Sequence, residues 1–498
     1  KTIRKNHVFS NQGQSWVKKA TVASLAMLCL NIGCTDSFDE VNTDPDRTEE
    51  VPISNILAYV IRNTADNLFD EWCDMNEPST YAGYLSRIQY IDESRYEFRT
   101  ETIENKWYYI YLTYNNAKTI EKRAAAEGAV NMESVAKVWG TLLMAIGTDT
   151  WRDMPYSEAC KMDEGILLPK YDTQETIYPG MLTVLSSAAE GFASGATDKL
   201  GVGDILFDGD VAKWQKFCNS LRLRLAMRIA KVDPTLAKST VEQILGNPSK
   251  YPTLTANEDN AFFIWPGESP YIEPWADNSR ARDDHGVSDV LVNLLQSLDD
   301  PRLPVYAHPA KADGKFRGGV IGAKDVVPEI GTISRIGARF RDNFKGFTPF
   351  LRAAETYFNM AEASKLGWTT GTTTKEAYET AVTLSLKENE IAEADITAYL
   401  AGKAKFNDSL DQIYEQEWLA LFKQGMEGWS LYRKTGIPKS NYIAPGTTIV
   451  GHNTPPFRQP YPINESNLNG ANVEPYVAQI EDDFWGKQMW WDTRTGVN

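Results

Sequence analysis

The sequence predicts a mostly α-helical protein in which tetratricopeptide-like helix pairs build an α-solenoid scaffold that carries a loop-rich face. Three observations support this fold class. Apolar residues recur every three or four positions in several long segments, small residues lie where paired helices would cross, and two long stretches lack helical periodicity. No segment meets the full tetratricopeptide consensus, so an irregular helical domain is the alternative.

The helical period divides the scaffold into two blocks of repeats, at about 101–231 and 350–424. Aromatic residues on the apolar stripes of these helices, such as Trp107, Trp139 and Trp214, are expected in the hydrophobic core. The predicted helices span 101–127, 132–147, 173–192, 211–231, 350–366, 375–388 and 408–424.

Two stretches outside the helices, 69–98 and 250–349, are rich in aromatic residues and poor in helical period. Loops of this length in a compact protein are usually functional or disordered, and their aromatic content argues against disorder. The tail 436–498 contains seven prolines and is expected to be coil that wraps on the helices. We therefore predict one domain over 51–498, with the two aromatic stretches as its binding face.

The composition of the 498-residue chain excludes several classes of protein. Hydrophobic residues make up 42% and charged residues 24%, which allows a large core and excludes wholesale disorder. The 51 basic residues are outnumbered by 67 acidic residues, so the basic surface that nucleic-acid binding needs is not expected. With four His and five Cys, we predict neither a disulfide scaffold nor a metal site, and no cofactor.

Residues 1–33 are predicted to be a secretory signal peptide. Basic residues precede an apolar run over 20–32, which is shorter than the ~20 residues that a membrane-spanning helix needs. The run ends at Gly33-Cys34, as in a bacterial lipoprotein signal in which Cys34 becomes the lipidated first residue, although Asn31 replaces the usual Leu. An ordinary signal peptide cut nearby is the alternative. Residues 34–50 would form a lipidated tether.

Six short motifs follow one another behind this signal. They are Asn-Thr-Asp-Pro at 42–45, Asp-Thr-Trp-Arg-Asp-Met-Pro-Tyr-Ser-Glu-Ala at 149–159, the segment 207–225, the helix start 351–363, Arg-Gln-Pro-Tyr-Pro-Ile-Asn-Glu-Ser-Asn-Leu-Asn at 458–469, and Trp-Trp-Asp at 490–492. In this order they resemble the SusD/RagB family of Bacteroidetes outer-membrane lipoproteins, in its SusD-like branch, over essentially the whole mature chain.

The resemblance implies a location and a role. Family members are cell-surface lipoproteins, anchored by lipid in the outer membrane, that capture a nutrient and hand it to a SusC-like TonB-dependent β-barrel transporter. Their ligands are mostly oligo- or polysaccharides, whereas RagB relatives take oligopeptides. The resemblance therefore implies a glycan-binding protein rather than an enzyme, with oligopeptide binding as the alternative.

Candidate ligand-binding residues come from the two aromatic stretches, which occupy the places where the family contacts its ligands. Aromatic rings stack on the apolar face of a sugar, while Asp and Asn hydrogen-bond its hydroxyls. For each ring, burial in the core is the alternative. The candidates are Trp72, Asp74, Asn76, Tyr84, Trp265, Tyr271, Trp275 and Asp277.

An all-helical glycoside hydrolase is a distant alternative. Such an enzyme needs two carboxylates about 5–10 Å apart across a cleft. Glu258-Asp259 and Asp283-Asp284 lie in the loop region and could be proposed. Adjacent side chains usually point apart, however, so no catalytic residue is predicted.

Three aspartates near the start of the helix predicted over 211–231 could supply oxygens to Ca²⁺. The spacing of Asp204, Asp208 and Asp210 is not that of an EF-hand loop. Capping of the helix by Asp208 or Asp210 is the better interpretation.

Overall fold

A computed structural model describes residues 51–327, 329–480 and 482–498 of the chain. Residues Ile53–Asn498 form one compact, mostly helical unit, with 18 α-helices and two small antiparallel sheets in the described part. The predicted signal peptide, the lipidation site Cys34 and the tether over 34–50 lie outside the described residues.

The first seven helices contain the predicted N-terminal block of repeats. The longer ones pack against their neighbours in the chain, α3 with α4, α4 with α5, α5 with α6 and α6 with α7, as expected for stacked helix pairs. Their bounds are α1 (Ile53–Asn67), α2 (Pro78–Tyr81), α3 (Thr100–Glu127), α4 (Val130–Trp151), α5 (Gln174–Ala193), α6 (Val211–Arg228) and α7 (Pro234–Leu245).

The later helices include a second close pair, α12 with α13, and α12 also packs against α6 and α15. The two blocks of repeats therefore share one scaffold. The bounds are α8 (Pro274–Ala281), α9 (Asp289–Ser297), α10 (Leu303–Tyr306), α11 (Ala338–Arg341), α12 (Ala353–Lys365), α13 (Thr374–Glu388), α14 (Glu393–Ala401), α15 (Leu410–Ala420), α16 (Gly425–Thr435), α17 (Ile463–Leu468) and α18 (Gly470–Val477).

Short strands join the two aromatic stretches to each other and to the scaffold. Strand β1 (Leu85–Arg87), in the first stretch, pairs antiparallel with β3 (His285–Val287), in the second. Strand β2 (Ala261–Ile264) pairs antiparallel with β4 (Phe347–Leu351), which leads directly into α12. The β1–β3 pair therefore joins two stretches separated by about 200 residues of sequence.

Helix ends follow the local sequence. Helix α3 ends at Gly128, whose φ of 70° suits glycine and whose N–H donates to carbonyls of the last turn. Helix α6 begins at Asp210, whose Oδ1 accepts from the Lys213 N–H at 3.1 Å, so the predicted capping by Asp208 or Asp210 is confirmed for Asp210. Helix α13 begins with a capping box formed by Thr373 and Glu376.

All seven predicted helices are present, with ends within four residues of the predicted ones. The prediction that 250–349 is irregular is wrong in part, because that stretch contains α8 to α11 and β2 to β4. These elements are short, at most nine residues, so their period is difficult to detect in the sequence. The tail 436–498 is mostly coil, with α17 and α18 as its helices.

Aromatic residues occupy two adjoining cores. Trp139 and Trp214 are fully buried in the larger core between the repeat helices, as predicted. Trp107 is only partly buried and packs edge-on against Trp151, with 5.0 Å between ring centroids. The second core lies where the aromatic stretches meet α15, α16 and the tail, and the fully buried Trp429 belongs to it.

Candidate functional site

Three of the predicted binding rings are buried. Trp265, Trp275 and Tyr84 are 2%, 1% and 0% exposed. The Trp265 Nε1–H donates to Thr348 Oγ1 at 2.9 Å, and the Tyr84 hydroxyl donates to the Trp418 carbonyl at 2.6 Å. This corrects the expectation that these rings stack on a ligand, because rings packed inside the two cores have no free face for a sugar.

Two of the predicted polar contacts, Asp74 and Asn76, are also buried, at 1% and 0% exposed. Asp74 Oδ2 accepts from Ser79 Oγ at 3.2 Å. Asn76 Oδ1 accepts from Arg87 and lies 2.8 Å from His285 Nε2. Both side chains therefore make hydrogen bonds inside the protein. This corrects the expectation that they contact ligand hydroxyls.

The other three predicted residues reach the surface. Trp72 and Tyr271 are 37% and 40% exposed. Asp277, on α8, is half-buried, and its Oδ1 lies 2.5 Å from Arg280 Nη2. The exposed rings and the Asp277 carboxylate are the two kinds of group that bind sugars, by stacking and by hydrogen bonding.

Each of three exposed rings has an arginine guanidinium over one of its faces. The third ring, Tyr90, is 56% exposed and was not among the predicted binding residues. The guanidinium carbon lies 5.4 Å from the ring centroid for Arg99 over Trp72, 4.3 Å for Arg62 over Tyr271, and 4.7 Å for Arg282 over Tyr90. We call these six residues the arginine-capped aromatic face.

Helix α8 and a π-helical turn at Glu71–Met75 position this face. The Asn278 side chain on α8 donates to Glu71 Oε2, which fixes α8 beside the turn that carries Trp72. Asp70 begins the turn, and its Oδ1 accepts from the Cys73 N–H at 2.7 Å. Single π-helical turns are rare and often occur at functional sites, so the geometry here is unlike that of an ordinary helix end.

Buried carboxylates lie beneath the π-helical turn. Burial raises the pKa of Asp70 to about 7, of Asp74 to about 6 and of Glu77 to about 7, while the Lys106 ammonium nearby opposes each shift. Lys106 Nζ donates to Gln459 Oε1 at 3.3 Å, and the Gln459 amide donates to Glu77. The turn that carries Trp72 therefore contains and adjoins carboxylates whose pKa values are raised by burial.

An open cleft of about 890 Å³ lies along the C-terminal half of α3 and the loop 159–164. Lysines, acidic residues and Cys160 line it, and no aromatic ring does so in the described part of the chain. The arginine-capped aromatic face is the better candidate for sugar recognition because it has the rings that stacking requires.

Comparison with known proteins identifies the family. A family model of SusD-like proteins, described as "Starch-binding associating with outer membrane", matches residues 45–462, which is more than half of the chain. The chain belongs to the SusD-like family. No functionally curated protein matches the chain. The structure is similar to solved structures of other SusD homologues, which show the same fold at low sequence identity.

Three of these SusD-like structures illustrate the similarity. A homologue from Bacteroides uniformis has a TM-score of 0.79 and 23% identity, covering 88% of this chain and 99% of its own. A chitin-binding homologue from Flavobacterium johnsoniae has a TM-score of 0.78 and 23% identity, with 89% and 99% coverage. A SusD-like protein from Bacteroides thetaiotaomicron has a TM-score of 0.77 and 22% identity, with 90% and 100% coverage.

Two of the SusD-like motifs meet at Asp149, at the end of α4. Its Oδ1 accepts from the Tyr178 hydroxyl at 2.6 Å and from the Trp491 Nε1–H at 3.0 Å, and its Oδ2 lies 3.3 Å from Arg228 Nη1. Its main-chain carbonyl accepts from Arg433 at 2.7 Å. The motifs at 149–159 and 490–492 therefore join the tail to the repeat helices and have a structural role.

Three of the four carboxylates considered for catalysis are held in ion pairs, and the fourth, Glu258, is an exposed side chain. Asp259 lies 2.6 Å from Lys216 Nζ. Burial alone would raise the pKa of Asp259, but hydrogen bonds from Lys216 and from main-chain N–H groups lower it. Asp283 lies 3.1 Å from Arg335 Nε, and the buried Asp284 lies 3.5 Å from Arg282 Nε. SusD-like proteins are binding proteins, and Asp259, Asp283 and Asp284 are each paired with a cation instead of with a second carboxylate.

The described residues contain no group of three or more His, Cys, Asp or Glu side chains that could hold a metal ion. Asp204, considered above for Ca²⁺, accepts from the Trp214 Nε1–H at 2.8 Å and from the Gly209 N–H at 2.9 Å, so its oxygens organise the turn before α6. Among the described helices, none has the length and apolar character needed to cross a membrane.

Proposed function

We propose that this SusD-like protein captures glycans, as oligo- or polysaccharides, at the arginine-capped aromatic face without cleaving them. The observation that carries the proposal is that three rings, contributed by both aromatic stretches and 37%, 40% and 56% exposed, each have a guanidinium over one face. The guanidinium fixes the ring, and its remaining N–H groups can donate to sugar hydroxyls while the open face of the ring stacks on the sugar.

The proposed role includes delivery to a transporter. As a lipoprotein anchored through Cys34 at the cell surface, the protein would pass the glycan to a SusC-like TonB-dependent β-barrel in the outer membrane. The family description, which includes association with the outer membrane, supports this location. Affinity purification from membranes in mild detergent should recover a large β-barrel protein, whereas recovery of the lipoprotein alone would contradict a stable complex.

Titration calorimetry against a panel of glycans tests the binding function. Because a chitin-binding protein is among the similar structures, the panel should include chitooligosaccharides beside starch, xylan and mannan fragments. A Trp72→Ala variant should lose about 1–3 kcal/mol of affinity for the best ligand, since the stacked ring is removed. Trp368→Ala, in the turn between α12 and α13, is the matched control and should keep full affinity.

Three outcomes would contradict the proposal in different ways. Equal affinity of the Trp72→Ala variant and the unaltered protein would exclude the arginine-capped aromatic face. Binding of oligopeptides without binding of glycans would favour the peptide alternative. Chromatographic detection of shortened oligosaccharides after incubation would favour the hydrolase.

A further inference from the structure

A pocket of about 490 Å³ opens at the end of α8, in the loop-rich region. Its lining includes Asp283, the residue after Arg282, whose guanidinium covers Tyr90 in the arginine-capped aromatic face. Ile330 and Ile333 supply an apolar wall. The charged and titratable side chains that line it are Asp283, His308, Lys311, Arg335, Arg341 and Asp342.

The positive charges of this lining are not fully paired. Arg335 Nε and Arg341 Nη1 both contact the single carboxylate of Asp283, at 3.1 and 3.0 Å. Arg341 Nε also lies 3.2 Å from Asp342. With Lys311 included, three cationic side chains face two carboxylates, although the whole chain has a net charge of −16. A local excess of positive charge in an acidic protein favours a negatively charged ligand.

Arg335 provides a second, independent observation. The residue is 6% exposed, and its Nη2 has no hydrogen-bond partner among the described residues. Its Nη1 reaches the His285 carbonyl only at 3.5 Å. Burial lowers the pKa of Arg335, with Asp283 opposing the shift. A buried guanidinium with an unused donor is costly, and an anionic oxygen in the adjoining pocket would offset that cost.

We propose that this pocket is a subsite for an acidic sugar unit, whose carboxylate or sulfate group is held by Arg335, Arg341 and Lys311. The inference rests on the proposed function and specifies its ligand class, namely acidic glycans. The neighbouring sugar units of the same glycan would stack on the rings of the arginine-capped aromatic face. Guanidinium groups suit this task because they donate paired hydrogen bonds to oxyanions.

Calorimetry with matched acidic and neutral probes tests the subsite. Trigalacturonate is compared with its carboxyl-reduced form, and a sulfated carrageenan oligosaccharide with its desulfated form, which separates the two anionic groups. The acidic member of at least one pair should bind about tenfold more tightly than its neutral partner, and this preference should shrink as salt is raised.

Pocket variants locate the effect. Arg335→Gln should reduce the ratio of acidic to neutral affinity about tenfold. Because substitution of the buried Arg335 can also affect folding, the exposed Lys311→Glu variant provides the second measurement and should reduce affinity for the acidic probe about tenfold. Lys238→Glu on α7, whose side chain is 49% exposed, is the matched control and should have no effect.

The two proposals fail in distinguishable ways. If acidic and neutral probes bind equally, or if acidic preference survives in the Lys311→Glu variant, the subsite is excluded while glycan capture stands. If no probe and no glycan of the wider panel binds, both the subsite and the proposed function are excluded.

Discussion

Glu77 lies beneath the π-helical turn of the site and is expected to retain its proton near neutral pH. The residue is 1% exposed, and burial raises its pKa from 4.5 to about 7, although Lys106 opposes the shift. Its Oε2 accepts from the Gln459 amide. A Glu77→Gln variant keeps the shape and a hydrogen-bonding oxygen but removes the titration, so it isolates the cost of charging this buried group.

The sign of the effect follows from the raised pKa. Below pH 4.5 the Glu77 carboxyl is protonated in both states, so the folded protein pays no penalty. As pH rises from 4.5 to about 7, the unfolded chain releases the proton while the folded protein retains it, and stability is lost. At 1.36 kcal/mol per pKa unit, the full loss is about 3 kcal/mol, and about 2 kcal/mol of it falls between pH 5.5 and 8.

Urea unfolding of both proteins, followed by tryptophan fluorescence at pH 5.5 and pH 8, measures this pH-dependent loss of stability. The stability of the Glu77→Gln variant relative to the unaltered protein should increase by about 2 kcal/mol between the two values. His285 contributes an opposite slope, because burial keeps its pKa well below 6.5, but that contribution is common to both proteins and cancels. Glu393→Gln, whose side chain is 72% exposed, is the matched control.

A constant difference in stability between the Glu77→Gln variant and the unaltered protein at both pH values would refute the reasoning. It would mean that Glu77 is ionised in the folded protein over this range. A change of the same size in the Glu393→Gln control would also refute it, since the effect would then not depend on burial.

Two further predictions concern the scaffold and the anchor. Asp149→Ala should lower the free energy of unfolding by about 3–5 kcal/mol, because it leaves Arg228 and the donors of Tyr178 and Trp491 buried without this acceptor; urea unfolding checks it. Cys34→Ser should move the protein from the membrane fraction to the soluble fraction, because lipidation requires the thiol; fractionation with immunoblotting checks it, and unchanged membrane retention would exclude a Cys34 anchor.

The scaffold could be predicted because its signal is local. The seven predicted helices, α3 to α6, α12, α13 and α15, repeat their apolar residues at a helical period within a single segment, whereas α1 and α7 are not among the predicted helices. Helix α16 was missed because it starts with Gly425 and contains Gly428, both of low helix propensity. The second glycine is needed there, since an added Cβ would lie 2.4 Å from the Tyr84 ring. That requirement depends on a residue more than 300 positions away, which the local pattern does not contain.

The site could be predicted only at the level of the two stretches. Trp265 and Trp72 both lie in the aromatic stretches, and polar residues follow each of them within a few positions. One is buried because β2 pairs with β4 and presents Thr348 to its indole, and the other is exposed on a π-helical turn. Tyr90 lies in one of the two aromatic stretches, but its partner Arg282 is distant in sequence. No sequence pattern therefore predicts that the two residues are in contact. Which rings remain free is set by long-range packing.

The geometry also favours glycan over extended peptide at this site. Peptides that bind by strand addition need an open sheet edge whose main-chain groups are unpaired. The edge of β3 away from β1 is occupied, because the Val287 N–H donates to the Ser334 carbonyl at 3.1 Å and the Gly319 N–H donates to the Val287 carbonyl at 2.9 Å. What the surface offers instead is ring faces and side-chain donors. Those groups match the flat C–H faces and hydroxyl rims of sugars.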